Sequence, residues 1–85
     1  MNNIENHINK TIENNKLIKI NKNIFLTNYE INILEMYKIN YHTCNNYQEI
    51  LFFVEEEIEL NDDSQELEQI LLSISERNYY QNTHK

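Results

Sequence analysis

The chain of 85 residues contains no Gly, no Pro and no Trp, and only one Cys. Average usage would supply roughly six Gly and four Pro at this length. Ala is missing as well, while Asn occurs 16 times and Ile 13 times. Gly, Ala and Pro have GC-rich codons, whereas Asn, Ile and Lys have AT-rich ones. A very AT-rich genome therefore explains part of the composition before function does.

Each absence still excludes something. Phosphate-cradling loops and dinucleotide fingerprints need Gly so that backbone can approach phosphate or turn tightly. A nucleophile elbow fails for a similar steric reason. One Cys cannot build an intramolecular disulfide framework or a Cys-rich zinc site. No apolar run approaches the roughly 18 residues that span a membrane. The N-terminal Met1–Asn6 lacks the basic and apolar regions of a signal peptide, so a cytoplasmic protein is expected. One small domain is expected, burying only about 60–65% of its unfolded surface.

What is present is charge, unevenly placed. The net charge is −7. Residues 1–26 hold four Lys and two Glu, while residues 27–85 hold 12 acids against Lys38, Arg77 and Lys85. Within 49–76 there are 10 acids and no base. Codon bias does not account for this, because Lys is AT-rich too.

Three helix starts are readable by mechanism. Thr27-Asn28-Tyr29-Glu30 has the spacing of a capping box, with Leu26 and Ile31 placed as a hydrophobic staple. Asn46-Tyr47-Gln48-Glu49 and Asp63-Ser64-Gln65-Glu66 repeat the spacing. Each is followed by apolar residues at helical period, predicting helices over about 28–39, 47–60 and 64–79. Asn61-Asp62-Asp63 then turns the last two into an antiparallel hairpin. Without Gly, Asn40 and Asn61 are the expected left-handed helix ends.

The N-terminal third is weaker. Ile4, Ile8 and Ile12 form one narrow stripe on a helix over 3–14, diluted by Asn and expected to fray. Leu17–Ile20 and Ile24–Leu26 are β-prone runs around Asn21-Lys22-Asn23, which suits a short hairpin over 17–26 with Asn at positive φ. A continuous helix through 20 is the rival reading. The expected fold is thus mainly α: a small antiparallel bundle of three main helices, preceded by a weak helix and a short hairpin. Residues 81–85 are expected to fray.

At about 100° per residue, helix 47–60 turns Tyr47, Ile50, Leu51, Val54 and Ile58 to the core, and helix 64–79 turns Leu67, Ile70, Leu71 and Ile74. Helix 28–39 is read with Ile33, Leu34, Met36 and Tyr37 inward, and with Asn32, Glu35 and Lys38 outward. Phe52 lies opposite its core stripe, ringed by Glu49, Glu55, Glu56 and Glu59. Leu72 and Tyr79 leave theirs as well. Either the N-terminal segment covers these residues or they meet a partner, as an aromatic anchor ringed by charge.

Catalytic and metal chemistry find little support. His42 and Cys44 would need His7, His84 or carboxylates to complete a zinc set. Cys44 reads as a partly buried structural thiol. Glu55-Glu56-Glu57 diverge on a helix, and neither a Glu-x-x-His pair nor an EF-hand pattern occurs. No enzyme, no cofactor and no metal are expected. A helix-turn-helix reading fails too, because the would-be recognition helix carries five Glu and no base, so phosphate repels it.

Two functions in different classes remain. The first is an acidic inhibitor that offers carboxylates to the basic nucleic-acid groove of a partner protein, steered by long-range attraction. Small acidic proteins of AT-rich prophages and mobile elements, anti-CRISPR proteins among them, share its size and charge. The partner surface would comprise Glu49, Phe52, Glu55, Glu56, Glu59, Asp62, Asp63, Glu68, Leu72, Glu76 and Tyr79. The second is a helical adaptor or regulatory subunit that self-associates, as a homodimer for example, and docks on a cytosolic enzyme through Phe52, Leu72, Tyr79 and Tyr80.

Overall fold

The computed structural model describes residues 16–62 and 64–83. The helix expected over 3–14 lies outside them, as do His7, Asp63 and His84. The described chain begins with a two-stranded antiparallel hairpin, β1 (Leu17–Asn21) and β2 (Ile24–Thr27). Ile18 pairs with Leu26 and Lys19 with Phe25, and the register shifts between Lys19 and Asn21. Ile24 and Leu26 alternate with the half-buried Phe25, and both are fully buried.

The turn uses Asn, though not for its left-handed tolerance. Lys38 is the one positive-φ residue among those described. Asn21 Oδ1 instead accepts from the Asn23 amide at 2.9 Å. The side-chain amides of Asn21 and Asn23 donate to the carbonyls of Cys44 and Asn45 at 3.0 and 3.1 Å. Asn thus pins the hairpin tip to the loop before the next long helix.

Helix α1 (Asn28–Met36) starts at the expected capping box. The Glu30 amide donates to Thr27 Oγ1 at 3.1 Å, and the Thr27 amide donates to Glu30 Oε1 at 2.9 Å. The helix ends three residues earlier than expected. Ile39 N–H reaches back to the Leu34 carbonyl at 2.8 Å and Lys38 N–H to the Glu35 carbonyl at 3.0 Å, the Schellman pattern. Lys38, with φ 60°, therefore holds the left-handed position expected of Asn40. The register is set by Ile39, whose burial in the core fixes it as the residue after the turn.

A 3-10 turn (Tyr41–Thr43) leads to α2 (Tyr47–Leu60), whose Asn46 cap accepts from the Glu49 amide at 3.0 Å. Glu49 reaches back one residue further than a capping box requires, accepting from the Asn45 amide at 3.0 Å. Helix α3 (Gln65–Thr83) is capped by Ser64 Oγ, which accepts from the Leu67 amide at 3.2 Å, one residue later than expected. It extends past residue 79 to Thr83. Asn61 closes α2 with φ −128°, so it is not left-handed either.

One core joins all these elements: Ile24 and Leu26 from β2, Ile33 and Leu34 from α1, Tyr47, Ile50 and Val54 from α2, and Leu67, Ile70 and Ile74 from α3, with Ile39, Tyr41 and Cys44 closing it from the connecting loop. This corrects the mainly α bundle. The domain has three helices and a two-stranded hairpin, and is mixed but helix-dominated. The hairpin is a wall of the core, because the alternation of β2 buries two large aliphatics that helices alone would leave uncovered.

Met36 is a second correction: it is 64% exposed. The buried side of α1 is Glu30, Ile33 and Leu34, with Tyr37 packed against it, a strict i, i+3, i+4, i+7 stripe. Sequence reading used Glu30 only as the cap and widened the face towards Met36 instead.

Candidate interaction surface

The polar interior is organised by one carboxylate. Glu30 is 2% exposed. Its two oxygens receive Arg77 Nη1 and Nη2 at 2.8 and 3.0 Å, the Thr27 amide at 2.9 Å and the Ser73 hydroxyl at 2.5 Å. Arg77 Nη1 also donates to the Phe25 carbonyl at 3.0 Å. The Phe25 amide donates to the Tyr47 hydroxyl at 3.0 Å, and that hydroxyl donates to the Phe25 carbonyl at 3.2 Å. The outer edge of β2 at Phe25 is thereby closed by side chains of α2 and α3, so the strand offers no open pairing edge there. The chain's one Arg is drawn inward and consumed by this cluster.

The outward surface follows from that. Glu55, Glu56, Glu59, Asp62, Glu68 and Glu76 are exposed and Glu49 is half-buried. Among the described residues none of these carboxylates pairs with a base, and the ion pair formed is Glu30–Arg77. Lys16, Lys19 and Lys22 are gathered on or beside the hairpin, so charge is segregated between the hairpin and the α2–α3 pair.

The off-stripe hydrophobes singled out by sequence stand in solvent: Phe52 is 57% exposed, Leu72 70% and Tyr79 64%. Sequence reading missed Phe53 and Leu60, 41% and 77% exposed on the same helix as Phe52. Their signal was present. Glu49, Phe52, Phe53, Glu56 and Leu60 recur at helical spacing opposite Tyr47, Ile50 and Val54, forming a second ridge on α2. The Phe52 and Phe53 rings meet edge to face with centroids 5.8 Å apart.

Two shallow cavities flank Phe53. One, of about 250 Å³, lies between Phe53, Glu56, Glu57 and the loop carrying Lys38, Asn40 and Thr43. The other, of about 260 Å³, lies between Phe52, Phe53, Gln48, Glu49 and Asn46.

Burial is the main cause that pushes the Tyr41 hydroxyl up to about 12, helped by its hydrogen bond to Glu35 at 2.8 Å. Burial, and then the nearby charge of Glu49, raise the Cys44 thiol above its usual range. Cys44 Sγ donates to the Asn40 carbonyl at 3.7 Å, so it is an enclosed thiol and not a thiolate nucleophile. His42 is exposed, its ring 4.2 Å from that of Tyr41. Among the described residues no three His, Cys, Asp or Glu side chains converge on a metal position. Among them, too, no helix is long and apolar enough to cross a membrane.

Comparison of the chain with protein-family models, with curated proteins and with solved structures finds no match.

Proposed function

We propose that the protein is a non-enzymatic, protein-binding module, an acidic inhibitor that occupies the basic nucleic-acid groove of a cytoplasmic partner. The observation that carries this reading is the uncompensated acidic surface of α2 and α3. Five Glu on α2 have no Lys or Arg on the same helix, and the one Arg of α3 is committed to Glu30. Carboxylates displayed this way imitate a run of phosphates and steer a basic groove from a distance. The likeness to prophage and mobile-element inhibitors such as anti-CRISPR proteins is one of size and charge.

The test is capture from a native lysate by the tagged chain at about 50 mM and about 500 mM salt, with and without duplex DNA, where screening and counterion release separate the outcomes. Nucleic-acid-handling proteins should be retained at low salt and displaced by DNA. Retention of none, or equal retention by a Glu55→Gln/Glu59→Gln/Glu68→Gln variant, sinks the reading.

The exposed Phe52, Phe53, Leu60, Leu72 and Tyr79 support a second reading, an adaptor that self-associates and docks on an enzyme through apolar contacts. Its binding would persist at high salt and ignore DNA, because apolar burial is not screened.

A further inference from the structure

A helix that buries one face against its own core normally presents polar residues on the other. Helix α2 instead carries Phe52, Phe53 and Leu60 outward, interleaved with Glu49 and Glu56. The two Phe rings pack on one another and not into the core. Cavities of about 250 and 260 Å³ open on either side of Phe53, and both have carboxylates on their walls.

We propose that this Phe53-centred ridge is the docking face for a basic segment of another protein. An apolar side chain seats against Phe52 and Phe53 beside Gln48. An arginine seats between Phe53, Glu56 and Glu57. The aromatic face and the carboxylates suit a guanidinium, which stacks on the one and forms paired hydrogen bonds to the other. One Glu57 oxygen already accepts from Asn61 Nδ2 at 3.2 Å, which holds that carboxylate in place.

Charge selects the occupant. All five charged residues of α2 are Glu, so a second copy that paired ridge to ridge would set this surface against its own charge, whereas a cationic segment is complementary. Lys38 lines the arginine cavity and is the one cation on its wall. It competes with the incoming guanidinium, so its removal should tighten binding.

This inference rests on the protein-binding reading and names its surface: the α2 ridge, and not the flank of α3 that carries Leu72 and Tyr79. The probe is the peptide acetyl-Arg-Leu-Arg-amide, with acetyl-Gln-Leu-Gln-amide as the neutral control, titrated into the isotope-labelled full chain and followed by backbone amide shifts. Saturable shifts are expected at 38–43 and along 46–60. Binding should weaken about 2- to 5-fold in Glu56→Gln and tighten by a similar factor in Lys38→Gln, as an exposed charge pair dictates. Phe53→Ala, at a partly exposed site, should keep the dispersed spectrum of a folded chain and lose about tenfold or more in affinity, as loss of an anchor residue does.

The proposal is overturned by shifts that centre on Leu72 and Tyr79, by shifts that never saturate, or by equal binding of the neutral peptide. If the ridge saturates while capture from lysate is insensitive to DNA, the ridge stands and the nucleic-acid-groove reading falls. If capture is DNA-sensitive while the ridge is silent, the reverse holds.

Discussion

Arg77 grips Glu30 through both guanidinium nitrogens, at 2.8 and 3.0 Å, across 47 residues of chain. Glu30 lies in the first turn of α1 and Arg77 in the second half of α3, so the pair fastens the last helix to the first. The capping bond from Thr27 and the hydroxyl of Ser73 occupy the remaining acceptor positions. No buried side-chain polar atom among the described residues lacks a hydrogen bond. A buried pair satisfied in this way contributes registry between helices more surely than net stability.

Removing one partner is a different matter. Arg77→Met should leave an uncompensated buried carboxylate and cost about 3–5 kcal/mol, enough to unfold a domain of marginal stability. Arg77→Lys keeps the charge but not the fork and should cost less. Urea unfolding of the two variants checks the order. Equal stability of wild type and Arg77→Met would show that the pair carries no structural load.

The Tyr47 hydroxyl both accepts from and donates to the main chain of Phe25. Tyr47→Phe should cost about 1–3 kcal/mol, because the strand amide loses its partner at a half-buried position. Hydrogen exchange locates the effect: the Phe25 amide should lose protection before its neighbours in β2.

Lys38 holds φ 60° at the end of α1. Lys38→Gly removes the steric cost of that conformation and should stabilise the chain by about 1 kcal/mol, even after the larger entropy of unfolded Gly. Lys38→Ala should not. Thermal melts of the two variants distinguish the backbone effect from loss of the charge.

Tyr41 titrates at about 12 in the folded chain against an ordinary value of 10.0. Between those values the unfolded chain holds fewer protons than the folded one, so stability falls as pH rises. The contribution is whole below about pH 10 and is lost by about pH 12, amounting to roughly 2–3 kcal/mol. The stability gap between wild type and Tyr41→Phe should shrink across that window, while other Tyr and Lys groups cancel in the difference. A gap that stays constant from about pH 9 to 12 would contradict the assignment.

Local rules were legible in this sequence. The capping box at Thr27–Glu30, the Asn46 cap, the stripes Tyr47/Ile50/Val54 and Leu67/Ile70/Ile74, and the hairpin strands all arise from interactions spanning a few residues. Side-chain type and spacing are enough to specify them. That Phe52, Leu72 and Tyr79 leave the core stripes of their helices followed from the same periodicity.

Tertiary structure decided what polarity alone misassigns. Glu30 reads from the sequence as a capping residue. It is buried because α3 brings Arg77 and Ser73 to it from more than 40 residues away. Lys38 takes the left-handed position because Ile39 must reach the core, a demand that overrides the intrinsic preference of Asn. Phe53 resembles its core neighbours Leu51 and Val54 by type, and only the placement of α2 against α3 and the 38–43 loop leaves it between two cavities. The sequence by itself determined the helices, the strands and the sign of the surface charge, because each is a local or additive property. The buried ion pair, the closed strand edge and the cavity between Phe53 and the 38–43 loop depend on which distant residues meet, and only packing decides that.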